Sequence, residues 1–317
     1  FSPYISGYSI PSTLNATSVR MDPSIRSRLP QFGRYSYSPS STDARSTNDL
    51  ANVTHYTGSV HSGTAGLTWL ISPRVANEFR INVTNTRQVS DATIDTFGGA
   101  KNFSTAGLPG YTGSTPGWLD FYLAYDLQAY YSTGVIPIDQ RQLNIVDSMT
   151  AVLGRHSLKW GVDHRRVHSE QPLPPFYSFP GYDMLSSVQA NMADWTGVEK
   201  FSGTISPVYQ NFSAYLQDEW RIIPAVTLNY GLRFDTFTAF TAAHQVSPRV
   251  NLVWQALPDT VAHAGYSRYL SPPPFELVGN VTVDKFAGTT AAAAVTRADT
   301  PQAEQANYYD IGLQQKL

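Results

Sequence analysis

Cysteine is missing from this chain, so neither a disulfide scaffold nor a thiolate metal site is open to it. Charge is scarce: Asp, Glu, Lys and Arg make up 15% of 317 residues, against roughly 25% in a typical soluble domain. A formal net charge of −2 gives no pull towards nucleic acid or an acidic membrane surface. No stretch nears the roughly 18 consecutive apolar residues of a spanning helix; the longest bland run, Ala291 to Val295, is far too short. No secretory signal segment is visible and the first residue is Phe1, so we expect a mature piece or a fragment. The Gly-x-Ser-x-Gly elbow, His-Glu-x-x-His, Gly-x-Gly-x-x-Gly and phosphate-binding loop are all absent, which argues against an enzyme and calls for no cofactor. His164 and His168 are four apart, but on a strand that spacing is about 13 Å, too wide to share a metal.

Uncharged polar residues and aromatics fill the gap left by charge; Tyr alone numbers 19. Their arrangement has a period of two. In Ala225-to-Asp235, Val226, Leu228, Tyr230, Leu232 and Phe234 alternate with Thr227, Asn229, Gly231, Arg233 and Asp235. Such a strand sets one face against something apolar and the other against water. Its partner is Phe212-to-Ile222, across a turn at Ile223-Pro224. Three further hairpins repeat this pattern. They join Ala65-to-Ile71 with Val75-to-Val83, Leu143-to-Leu153 with Leu158-to-Arg165, and Arg249-to-Trp254 with Val261-to-Tyr269. A last strand runs from Tyr308 to Leu317.

Tight Pro-, Gly- or Asp-containing turns close these hairpins, while long connections join them near 89–140, 169–206 and 271–304. Short turns at one end and long loops at the other are the asymmetry of an outer-membrane barrel. About 11 residues at roughly 3.3 Å each, tilted by about 45°, span about 25 Å, the height of such a barrel's apolar band. The expected fold is therefore all-β: an antiparallel transmembrane β-barrel section of about nine or ten strands with short periplasmic turns and long extracellular loops. Residues 1–50 read as a loop-like Ser/Pro/Tyr-rich segment, and 51–317 as the partial barrel.

The hairpins resemble the barrel of TonB-dependent receptors, in particular the Oar-like group with long surface loops. The likeness is carried by Tyr215-Leu216-Gln217-Asp218-Glu219-Trp220, Leu228-to-Asp235, Ser247-Pro248-Arg249 and Ala264-to-Tyr269. It is echoed at Ser72-Pro73-Arg74, Asn77-to-Arg80 and Leu158-to-Asp163. The resemblance implies a barrel of about 22 strands, an amino-terminal plug, coupling through TonB, and import of a scarce bulky solute. Neither a plug nor a TonB-engaging segment is legible here, and Leu317 replaces the usual terminal aromatic residue, so an internal barrel section is expected. Its implied partners are outer-membrane lipid, the plug of the same full-length protein, the TonB complex through it, and an unidentified solute.

Glu78, Arg80, Glu219, Arg221, Arg233 and Asp235 fall on the polar parity. They suit a lumen wall that contacts a plug or guides solute, or cross-strand ion pairs that stabilise a wet wall. Asp147 and Asp218 sit on the apolar parity, where a carboxylate is costly. A bulge is the expected remedy for Asp147, and an interfacial position for Asp218. Loop aromatics Tyr111, Trp118, Phe121, Tyr122, Tyr125, Tyr130, Tyr131, Phe176, Tyr177, Phe179 and Tyr182 suit stacking on sugars or gripping peptides, or an interfacial girdle and loop self-packing. Of these, Tyr111, Trp118, Phe121, Tyr122, Tyr125, Phe176, Tyr177 and Tyr182 are the candidate ligand contacts. Two other readings stay open: a porin-like or structural barrel without energy coupling, and a secreted soluble β-sandwich that binds glycans with its apolar faces packed together.

Overall fold

The computed structural model describes residues 7–316 except 24–27, 46–49, 101–116, 124–126, 133–134, 173–175, 191, 201–203, 240–241 and 274–301. In chain order the first strands are β1 (Ser12–Leu14), β2 (Thr17–Met21), β3 (Gln31–Arg45), β4 (Asn52–Ser72) and β5 (Val75–Ile94). Next come β6 (Gly117–Leu123), β7 (Leu127–Ser132), β8 (Ile136–Leu153), β9 (His156–Pro172) and β10 (Phe176–Tyr182). A short helix α1 (Leu185–Ala190), then β11 (Trp195–Lys200) and β12 (Thr204–Ile205), precede the last wall strands. Those are β13 (Val208–Ile223), β14 (Val226–Thr238), β15 (Ala242–Leu257), β16 (Thr260–Ser271) and β17 (Glu304–Gln315).

Thirteen strands form one sheet in the order β1-β3-β4-β5-β8-β9-β13-β14-β15-β16-β17, with β2 on β3 and β12 on β9. All its pairings are antiparallel; most join consecutive strands, and β1–β3, β5–β8, β9–β12 and β9–β13 do not. Among the described residues the sheet ends at β1 and β17 without closing on itself. Two-residue turns at Pro73-Arg74, Gly154-Arg155, Pro224-Ala225 and Pro258-Asp259 join the hairpins at one end. Gly154 takes φ 62°, a left-handed conformation that a tight hairpin turn demands and a Cβ opposes.

Register decides which side chains share a face. Leu232 lies opposite Leu216 on β13 and Pro248 on β15; Tyr230 lies opposite Asp218 and Val250. The row continues through Trp160 opposite Leu216 and Met149 opposite Trp160. One face is thus apolar from β2 to β17, and it is bare. Leu216 is 56% exposed, Leu232 57%, Val246 53% and Trp254 51%. Among the described residues no second sheet packs over it, which removes the soluble-sandwich reading. On the other face the small polar side chains Ser213 and Ser247 are 0% and 1% exposed. Large apolar groups in the open and small polar groups covered reverse the usual order of burial. A curved wall with its polar side concave and its apolar side turned to lipid produces that reversal.

The apolar stripe is nine residues long on each of four strands: Val75–Val83, Phe212–Trp220, Val226–Phe234 and Val246–Trp254. Roughly 9–11 tilted residues cross a bilayer core. The strands do not stop there. β5 runs 20 residues, and beyond Val83 its outward parity continues as Asn85 and Arg87. Above the band both faces meet water, so the hydrophobic alternation lapses while the backbone ladder persists. This corrects two expectations. Strand ends at 89–94 and 136–140 belong to β5 and β8, not to a loop. Within 1–50, residues 31–45 form β3, paired with β4 along its whole length.

Asp147 needs no bulge. The register through it is continuous, opposite Phe79 on one side and Val162 on the other. Asn77, on the same face, donates its side-chain amide to Asp147 Oδ1 at 2.6 Å. Asp218 lies on the outward parity, five residues before the end of β13, but it is covered: its side chain is 4% exposed. His156 Nδ1 sits 2.6 Å from Asp218 Oδ2, and the Tyr230 hydroxyl donates to the same oxygen at 3.0 Å. His156 is itself stacked on Trp220 at 5.4 Å and 16°. Both carboxylates are thus capped by side chains from neighbouring strands, which removes much of the cost of facing hydrocarbon.

Candidate functional site

Among the described residues, chemistry-bearing side chains gather on the polar face of the wall and on a small sheet built from the long connections.

On the polar face β14 places Arg233 and Asp235 two apart, on one side of the strand by strand periodicity. Arg233 Nε donates to Asp235 Oδ1 at 2.8 Å, and Ser213 Oγ donates to the same oxygen at 2.6 Å. Glu219 and Arg221 on β13 approach to 3.4 Å, and Glu78 and Arg80 on β5 to 3.6 Å. The expected ion pairs therefore exist, but along single strands and not across them. The reason lies in the register: Glu219 faces Asn229 and Ser157, and Arg233 faces Tyr215 and Ser247, none of them charged. The Glu219–Arg221 and Glu78–Arg80 pairs are solvated and contribute little to stability, whereas Arg233–Asp235 is largely covered; together they make a mixed-charge surface. A trough of about 640 Å³ opens over it, with Lys159, Asp163, Glu219, Arg233 and Arg249 among its lining. Glu78 and Arg80 stand on a separate part of the wall, on β5.

The second place lies in segments whose sequence suggests loop. β6 and β7 from one long connection, and β10 and β11 from the next, form a four-stranded sheet in the order β11-β10-β6-β7. β10 and β6 run parallel, with Tyr177 opposite Trp118 and Gly181 opposite Tyr122. β7 lies against β4 and β5 of the wall. This pairing brings together aromatic residues from two loops.

The two faces of this sheet differ. Leu119, Phe121, Ser178 and Tyr182 point one way and are buried. Phe121 and Tyr182 therefore pack the sheet and do not offer themselves to a solute, against expectation. Trp118, Asp120, Tyr122, Tyr177, Phe179 and Trp195 share the other face by register. Their rings form a chain: Tyr177 to Phe179 at 5.2 Å, Phe179 to Trp195 at 6.4 Å, and Trp195 to Tyr122 at 5.6 Å. Phe176 lies in β10, opposite Lys200 and Gly117. Tyr111 and Tyr125 lie outside the described residues.

Asp120 carries no distinguishing signal in the sequence. It is 7% exposed, its Oδ1 has no hydrogen-bond partner, and its Oδ2 accepts from the Tyr177 hydroxyl at 3.3 Å. Burial pushes its carboxyl above the ordinary value, opposed by the Tyr122 and Tyr177 hydroxyls. Trp195 is a second residue that alternation does not flag; its indole Nε1 donates to Asp183 Oδ1 at 2.9 Å. Among the described residues no group of three or more His, Asp or Glu side chains is placed to hold a metal.

The family model described as Outer membrane beta barrel domain matches residues 2–246. Among solved structures, the Ferric-Catecholate import receptor Fiu of Escherichia coli K12 superposes with a TM-score of 0.60 at 12% identity. The match covers 96% of this chain and 49% of that one. FpvA of Pseudomonas aeruginosa gives 0.61 at 9% identity, over 95% and 39%. The siderophore receptor PiuA of Acinetobacter baumannii gives 0.56 at 12% identity, over 95% and 47%. At these identities the likeness is one of fold. The chain spans at most about half the length of the receptors it matches here. No curated protein matches the sequence significantly.

Proposed function

The chain belongs to the outer membrane beta barrel domain family and its place is the bacterial outer membrane; from that premise we propose that it is barrel wall from a TonB-dependent receptor that imports a scarce, bulky solute. The solute is a glycan, a peptide or a siderophore. The observation that carries the reading is the two-sided wall: a bare apolar face nine residues high outside, and a wet, mixed-charge face with an open trough inside. The polar face offers Glu219, Arg221, Arg233 and Asp235, with Glu78 and Arg80 further along, to a plug domain of the same protein. TonB acts on that plug, and the wall is the stationary frame. The fold's likeness to Fiu and PiuA, named for ferric-catecholate import and siderophore reception, supports import over passive diffusion.

The test is uptake. Deleting the gene that carries this chain is expected to abolish growth on one scarce solute as sole source, and inactivating TonB is expected to do the same. Growth lost with the gene but untouched by loss of TonB would overturn the coupling and favour a porin-like barrel.

A further inference from the structure

We infer that the aromatic face of the β11-β10-β6-β7 sheet is the capture surface and that its ligand is a neutral carbohydrate chain. The inference rests on the import reading above and narrows its solute to one class.

The first observation is the shape of the face. Gly181 lies opposite Trp195, and Gly197 opposite Phe179, on neighbouring strands. A Cβ on Gly181 would run into the Trp195 ring, and one on Gly197 into the Phe179 ring. Each ring is therefore laid down over the backbone of the strand beside it, in the space that glycine leaves. The result is paving, not a box. Rings standing around a hollow would enclose an ammonium group. Here the rings step along the sheet, tilted by 38° between Tyr177 and Phe179, 65° between Phe179 and Trp195 and 38° between Trp195 and Tyr122; Tyr122, Tyr177 and Phe179 are partly covered and Trp195 is 42% exposed. The flat C–H face of a sugar ring matches the exposed face of a single ring, foremost Trp195, and a bent chain of sugars follows rings that turn against one another.

A second observation is the polar group among the rings. Asp120, on the same face between Tyr122 and Tyr177, keeps one buried oxygen without a partner. An unmatched buried acceptor carries a desolvation cost that a donated hydroxyl relieves. A carboxyl acceptor beside flat rings is what a polyol needs, since its hydroxyls are donors.

Charge supplies the third. Residues 117–132 hold Asp120 and Asp126 and no Lys or Arg, and residues 176–200 hold Asp183, Asp194 and Glu199 against Lys200 alone. An acidic approach disfavours anionic ligands, including ferric catecholates and sulfated or uronic glycans.

The experiment uses the full-length receptor in detergent. Binding is read on an array of neutral, sulfated and uronic oligosaccharides, with ferric enterobactin, a tetralysine peptide and a tetraglutamate peptide alongside. Neutral oligosaccharides are expected to bind. Trp195→Ala is expected to weaken them about ten- to a hundredfold, by analogy with the loss of a base stacked on an aromatic ring. Asp120→Asn, which keeps the shape, is expected to weaken them severalfold. Heat-modified mobility on gels verifies that each variant is folded. Binding of ferric enterobactin or either peptide in place of neutral sugar overturns the carbohydrate assignment but leaves the import reading intact. Neutral-sugar binding unchanged in both variants overturns the site. Loss of import itself is read separately, from TonB-dependent growth.

Discussion

Asp218 gives the sharpest energetic prediction, because its environment has two halves that can be removed separately. The carboxylate faces the lipid side, 4% exposed, held by His156 at 2.6 Å and Tyr230 at 3.0 Å. Removing one partner of a buried pair costs about 3–5 kcal/mol, because the other charge is left uncompensated. Here Tyr230 still donates and His156 is 40% exposed, so His156→Phe is expected to cost about 2–3 kcal/mol. Tyr230→Phe, which removes only the longer bond, is expected to cost about 1–2 kcal/mol. Replacing the whole cluster should behave differently. With Asp218→Leu added to His156→Phe, no charge remains to be capped, and the face becomes continuous apolar surface. The double variant is expected to return to within about 1 kcal/mol of the parent. The assay is equilibrium unfolding of the full-length barrel in phospholipid vesicles, followed by tryptophan fluorescence. A double variant less stable than His156→Phe alone would refute the reasoning, since it would mean that the cluster adds stability and does not merely neutralise a liability.

Asn77→Leu is expected to destabilise the same barrel by about 1.5–3 kcal/mol by stripping the 2.6 Å bond from Asp147, with Asn77→Leu/Asp147→Leu recovering most of the loss in the same unfolding assay. Gly154→Val forces a branched side chain to φ 62° and is expected to cost about 1–2 kcal/mol and to slow folding into vesicles; Gly154→Asn should be milder. Protection of the β6–β10 sheet in hydrogen exchange should depend on pH through Asp120. Its folded carboxyl titrates above the ordinary 3.8, so the stabilisation is fully present below 3.8 and is lost as pH rises through the raised value. Asp120→Asn should remove that dependence. Asp95 has the opposite sign: the Arg45 guanidinium holds its carboxyl below 3.8, so its contribution is present above 3.8 and is lost as pH falls.

The membrane band was legible because lipid on one side and water on the other impose opposite chemistry on alternate residues. Val226 to Asp235 shows it without a break. β3 was barely legible for the converse reason. Only Tyr35 and Tyr37 alternate with Ser36 and Ser38 before the run Pro39-Ser40-Ser41, so the long backbone ladder to β4 leaves only a brief trace in the pattern. The caps on Asp147 and Asp218 come from other strands, Asn77, His156 and Tyr230, and depend on register that alternation alone does not fix. The loop sheet was hidden further still. Trp118 and Tyr122 stand out as aromatic residues, but the parallel pairing of β6 with β10 joins segments from different connections. Asp120 reads in sequence as one acid among aromatics; burial and an unmatched oxygen set it apart. Trp195 had a faint signal in Gly181, the glycine opposite it that leaves room for its ring.

The absence of cysteine makes the wall open to single-cysteine labelling. Spin labels placed one at a time from Val226 to Asp235, in the full-length protein in outer-membrane vesicles, report oxygen and nickel-chelate access. Labels at 226, 228, 230, 232 and 234 should be reached by oxygen and shielded from nickel, and those at 227, 229, 231, 233 and 235 should show less oxygen access. A scan with the opposite phase, or one in which 228 and 232 are closed to both reagents as in a dry protein core, would contradict a wall whose greasy side meets lipid.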